Sequence, residues 1–186
     1  PNRERDTMNA PTPSQPVRVW DPFVRVFHWS LVACVLLNFV VEEGEALHQA
    51  LGYAASALVG ARILWGFVGT RHARFADFFP TPTRLRRHFA SLLAGRREHH
   101  VGHNPAGALM MLALMAFVLL LGLTGYLQTT DMFWGDEWLE ELHEGLAETL
   151  LGLAGLHAAA VIVMGRLERT NLIGAMITGI KLRRER

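Results

Sequence analysis

The chain has 186 residues, 51% of them hydrophobic, and 18 Lys and Arg against 17 Asp and Glu, so its formal net charge is only +1. A single cysteine, Cys34, excludes an internal disulfide framework, a thiolate zinc site, a cysteine-ligated iron–sulfur cluster and haem attachment through a C-x-x-C-H motif. Length and hydropathy fit either one soluble domain or a small membrane bundle, but the apolar residues fall in four long blocks between charged segments, which favours the membrane.

Residues 1–20 are polar and Pro-rich, carry no uninterrupted apolar core of the usual secretory kind, and are expected to form a short disordered lead-in. Asp21 followed by Pro22 is a helix start, with Asp as cap and Pro at the first helical position, and predicts a first span over 22–41. At about 1.5 Å per residue such a span reaches roughly 30 Å, enough to cross a bilayer core. A second span is expected over 46–69. The connection after it is long, and its stretch 83–97 sets Leu85, Phe89, Leu92 and Leu93 against Arg84, Arg86, Arg87 and Arg96, the pattern of a helix lying on the inner membrane surface; a solvated Arg-rich loop is the alternative. Asn104-Pro105 opens a third span over 105–128, and the fourth covers 138–165. The expected fold is all-α, an integral membrane four-helix bundle built from residues 21–186.

Charge orients the spans. Glu42, Glu43 and Glu45 lie between spans one and two, and Asp131, Asp136, Glu137, Glu140 and Glu141 lie between or beside spans three and four, with no basic residue in either loop. Every Lys and Arg except Arg62 falls in the amino-terminal tail and its junction, the segment 71–97, or the carboxy-terminal end. With four spans these regions share one side, so the positive-inside rule places both termini in the cytoplasm and the acidic loops outside.

Histidine inside a span is costly without a partner, which makes His28, His48, His143 and His157 functional candidates. His28 lies about 9 Å above the inner start of its span, whereas His48 and His143 both lie close to the outer starts of theirs. His157 follows His143 by 14 residues, about 21 Å deeper and only about 40° around the same helix. The depths pair His28 with His157 on the inner side and His48 with His143 on the outer side, two bis-imidazole sites of the kind that hold haem for electron transfer with no open position for oxygen. Gly52, Ala55, Ala147 and Ala154 beside these ligands leave room for a flat ring, although small residues also ease helix contact in membranes. Arg62, the one basic residue inside a span, is expected near the inner site as partner of a haem propionate or a quinone head group, with snorkelling to the surface as the alternative. His103 is a weaker ligand candidate. His72, His88, His99 and His100 are expected to be solvated, Cys34 a small buried residue, and Trp29, Trp65, Trp134 and Trp138 members of interfacial belts.

The strings VWDPFVRVFHW around His28, HQALGY after Leu47, ARILWGFVG around Arg62, GHNPAGA at span three, and ELHE and GLHAAA around His143 and His157 resemble the prokaryotic cytochrome b561 family, which includes the b-type cytochrome subunits of nickel-iron hydrogenases. The resemblance runs from Val17 to the ITGIK near the carboxy terminus. It implies a four-helix bundle with two non-covalent b haems, ligated by His28, His48, His143 and His157, in the bacterial inner membrane. It also implies electron transfer between membrane quinone, with ubiquinone as a candidate cofactor, and a redox partner such as a periplasmic cytochrome c or a hydrogenase. The short outer loop between spans three and four leaves little for a large hydrogenase to dock on, while the acidic outer surface suits a positively charged partner.

Three function classes follow. The first is an electron relay between quinone and an outer redox protein. The second, seen in small members of the family, oxidises superoxide outside and delivers the electron to quinone; acidic loops would repel that anion. The third is non-redox, a haem or metal transporter or a zinc-binding membrane anchor, although zinc needs about four convergent ligands and these histidines divide into pairs roughly 20 Å apart. No nucleic-acid partner is expected. A quinone site is open to either end, near Arg62 and His103 inside or Glu144 and Glu148 outside.

Overall fold

Asp21 stands in extended conformation, its Oδ1 accepts the Val24 N–H at 2.9 Å, and Pro22 fills the first turn, where its missing N–H costs nothing. These features start α1, Pro22–Asn38. The computed structural model describes residues 15–41, 45–94, 102, 104–168 and 170–183. Within them α1 is followed by α2 (Ala46–Val68), a 3-10 turn (Arg71–Ala73), α3 (Phe75–Phe78), α4 (Pro82–Leu93), α5 (Pro105–Gln128), α6 (Glu137–Leu167) and α7 (Leu172–Thr178). Asn104 caps α5 as Asp21 caps α1, its Oδ1 accepting the Gly107 N–H at 2.7 Å. Strands β1 (Gln15–Arg18) and β2 (Ile180–Arg183) pair antiparallel, with Val17 opposite Lys181.

Helices α2, α5 and α6 are long and apolar enough to cross a membrane; α1 is apolar but has 17 residues. It stops short of the expected Val41 because the Phe39 N–H turns back to the Leu37 carbonyl, and the N–H groups of Val40 and Val41 close on the same oxygen at 3.0 Å. The polar lead-in also departs from expectation at its end. Residues 15–18 form a strand rather than a disordered tail, because Gly179, at φ 83°, turns the chain out of α7 and offers its carbonyl to the N–H groups of Val19 and Trp20. The tail residues 1–14 lie outside the described residues.

Among the four long helices, α1 packs on α2, α2 on α5, and α5 on α6. Helix α6 makes its extensive packing with α5 and not with α1 or α2. Phe27, Ala55, Val59, Met115, Val118 and Leu150 form the buried core, with Cys34 packed against its edge. Gly122 permits the close approach of α2 and α5, since a Cβ there would collide with the Ser56 hydroxyl.

The segment expected over 83–97 is helical as α4 to Leu93, and residues 95–97 lie outside the described residues. Its Arg84, Arg86 and Arg87 are exposed, and so are Phe89 and Leu93, the latter at 91%. His88 is not solvated as expected: it is 3% exposed, on a helix that packs on α5. His72 pairs with Asp77 at 3.2 Å. His99, His100, His103, Glu42 and Glu43 lie outside the described residues.

Candidate functional site

His48 and His143 occupy the first turn of α2 and the second of α6, on helices that do not pack extensively on each other, yet their ring centroids are 6.4 Å apart. They line a cavity of about 760 Å³, within the range of roughly 300–1,000 Å³ typical of small-molecule and cofactor sites. Its walls come from all four long helices: Asn38 at the end of α1, Gly52 and Ala55 on α2, Gly122 and Gly125 on α5, and Ala147 on α6. The small residues singled out on α2 thus do face the space beside the imidazoles, as does Ala147; Ala154 is not part of this wall. Gly125 lies against the His143 ring, where a Cβ would come 3.2 Å from the imidazole Cε1. Trp134 and Glu140 stand at the rim, near the acidic loop.

Thr124, next to Gly125, holds the His143 ring by a contact of 2.8 Å between its Oγ1 and Nδ1. The same hydroxyl lies 3.0 Å from the Leu120 carbonyl and 3.2 Å from that of Leu121. Of the two imidazole tautomers, the one whose Nδ1–H donates to Oγ1 lets the threonine proton stay on the helix carbonyls, and it leaves the lone pair on Nε2, the form required of a metal ligand.

At the other end, His28 on α1 and His157 on α6 are half-buried and close enough to interact electrostatically. His28 Nδ1 is buried with no hydrogen-bond partner among the described residues, as is His48 Nδ1. Arg62 is 1% exposed. Its Nη2 donates to the Ala73 carbonyl at 3.0 Å and its guanidinium sits 5.4 Å from the Phe75 ring centre, while Nη1 is buried without a partner among the described residues. Arg62 therefore neither snorkels into water nor reaches the large cavity; it pins the 3-10 turn and α3 onto the end of α2. Asp21 lies beside this cluster. Burial alone would raise its carboxyl, but hydrogen bonds from Thr70 (2.6 Å), the Val24 N–H and Trp65 Nε1 (3.0 Å), with the Arg62 charge nearby, together hold it below the ordinary aspartate value.

The donor set fits haem. An imidazole–metal bond is about 2 Å and the ring nitrogen lies about 1 Å from the ring centre, so two imidazoles that would share one metal ion have centroids no more than about 6 Å apart. The separation of His48 and His143 is close to this. The family model of prokaryotic cytochrome b561 matches residues 19–179. The chain belongs to that family. As a prokaryotic cytochrome b561 it is a multi-pass membrane protein that carries electrons on haem b.

Its relatives include three proteins named as probable Ni/Fe-hydrogenase B-type cytochrome subunits. That of Rhizobium leguminosarum bv. viciae is 23% identical, covering 92% of this chain and 91% of the relative. That of Bradyrhizobium diazoefficiens is 24% identical, covering 88% and 85%. The subunit of Azotobacter vinelandii is also 24% identical, but the match covers 68% of this chain and only 65% of that protein. No solved structure matches the chain.

For this cytochrome b561, sequence reasoning about histidines missed the contribution of α5, which carries no histidine. Thr124 and Gly125 touch His143, and Gly122 lines the same cavity. One signal was available: between Pro105 and Gly125, Thr124 is the sole polar side chain in an otherwise apolar run.

Proposed function

We propose that this cytochrome carries two b haems, one between His48 and His143 and one between His28 and His157, and relays electrons across the bacterial inner membrane between the quinone pool and a redox partner outside. The outer pair carries the reading: two imidazoles with centroids 6.4 Å apart across a cavity of about 760 Å³ whose near walls are glycine and alanine. Among the described residues no three metal-ligating side chains converge, a pattern that suits two-ligand haem sites better than zinc. Haem b supplies a one-electron iron couple when bound.

The chain's own part would be to hold each haem iron between two imidazoles, from His48 and His143 on one side of the membrane and from His28 and His157 on the other. Among the long helices α6 makes its extensive packing with α5, and the cavity lined by all four supports a place for a flat ring. The Nη1 of Arg62, without a partner among the described residues, would donate to an inner propionate or a quinone head group. The basic segments belong inside with both termini, and α4 lies on the inner surface with its arginines toward lipid head groups. The acidic loop beside the outer cavity suits a positively charged partner such as a cytochrome c. A second reading, a cytochrome subunit serving a hydrogenase, is favoured by the names of the relatives.

Proteoliposomes test the proposal. A quinol added to the bilayer should reduce a sharp low-spin b-type α band, and external ferricytochrome c should reoxidise it. Failure of quinol to reduce the haems would remove the quinone half of the proposal. Reduction by hydrogen in the presence of a co-purified hydrogenase, with no response to cytochrome c, would select the second reading.

A further inference from the structure

We infer that Thr124 is a positioning residue that fixes the tautomer of His143 and lowers the reduction potential of the outer haem; this rests on the reading of His143 as an axial ligand. The hydroxyl is placed for the purpose. Its proton is committed to the Leu120 and Leu121 carbonyls at 3.0 and 3.2 Å, so its oxygen faces His143 Nδ1 as an acceptor at 2.8 Å. A threonine in a helix satisfies itself on its own backbone, so folding of α5 does not require a histidine partner.

The surroundings strengthen the contact. Thr124 is 5% exposed, so water does not compete for the imidazole N–H. Gly125 gives the ring its place: a side chain there would press on Cε1 at 3.2 Å. Two of the other candidate ligands differ, because the buried Nδ1 atoms of His28 and His48 have no hydrogen-bond partner among the described residues. An acceptor on Nδ1–H increases the donor strength of Nε2 and favours the ferric state. The bond thus acts on the outer haem and leaves the inner one alone.

The test uses the full chain, purified in detergent, as wild type, Thr124→Val and Thr124→Ser, with redox titration of the α band and low-spin electron paramagnetic resonance. Thr124→Val should keep the haem count, move one midpoint upward, change one set of g values and leave the other midpoint where it was. Thr124→Ser, which keeps the hydroxyl, should restore both. Unchanged midpoints in a fully loaded Thr124→Val protein, or an equal shift in Thr124→Ser, would overturn the inference. Should Thr124→Val fail to fold, Thr124→Ala in the haem-loaded protein decides the matter by the same redox titration: one raised midpoint supports it and two unchanged midpoints sink it. If His143→Ala instead retains every haem, the ligand reading fails first and takes the inference with it.

Discussion

The Asp21 carboxylate accepts three hydrogen bonds, from the Val24 N–H, Trp65 Nε1 and Thr70 Oγ1, and so ties the start of α1 to the end of α2. Replacing it by alanine removes a helix cap and strands two side-chain donors, which should destabilise the protein by about 2–3 kcal/mol in detergent unfolding. Because the folded carboxyl lies below its ordinary value of 3.8, the ionised form stabilises the fold fully above that pH, and the contribution is lost as pH falls from there through the folded value. Wild type and Asp21→Asn should therefore differ in stability at neutral pH and converge below about pH 3.8; a constant difference down to pH 2 would rule out this carboxylate as the origin. The capping role was legible from the Asp-Pro pair. Its partners 44 and 49 residues away were not, since only the tertiary fold brings Trp65 and Thr70 there. Gly125→Val should crowd His143 and abolish binding of the outer haem with the other retained, measured as loss of one of two low-spin signals.

Helix α4 shows how far periodicity carries. Its apolar arc was visible in Leu85, Phe89 and Leu93, but the sequence could not say which part of that arc meets protein. In the structure His88 is buried toward α5, while Phe89 and Leu93 face outward beside Arg86. Outward apolar side chains flanked by arginines are suited to an anionic bilayer surface, where each basic residue contributes about 1 kcal/mol. Combined Arg84→Gln, Arg86→Gln and Arg87→Gln should lower the anionic phospholipid retained by the purified protein in native mass spectrometry, with zwitterionic lipid unaffected. Equal loss of both lipid classes would mean that these arginines carry no charge selectivity. Helix α1 makes the opposite point: apolar residues continue past Asn38, but the turn closed on the Leu37 carbonyl ends the helix there, and hydropathy is blind to that turn.

At the scale of the molecule, β1 and β2 join the two ends of the described chain, which the proposed topology puts in the cytoplasm. A fluorescent protein fused after Arg186 should be bright and an alkaline phosphatase fused there inactive; the reverse pattern would invert the topology and put the His48–His143 cavity inside. Depth arithmetic on the sequence put His48 and His143 at one level, because helix rise is fixed and both lie near span starts, and their rings are 6.4 Å apart in the structure. The α5 wall of that cavity was hidden, because glycine and threonine in a membrane helix signal close packing as readily as a cofactor site. The pairing itself is tested most directly by a pyridine haemochrome count with reduced-minus-oxidised spectra on wild type, His143→Ala and His157→Ala. Two b haems per chain, falling to one in each variant, is the expected result. A colourless wild type, or a haem count unchanged by either substitution, would contradict ligation by these histidines.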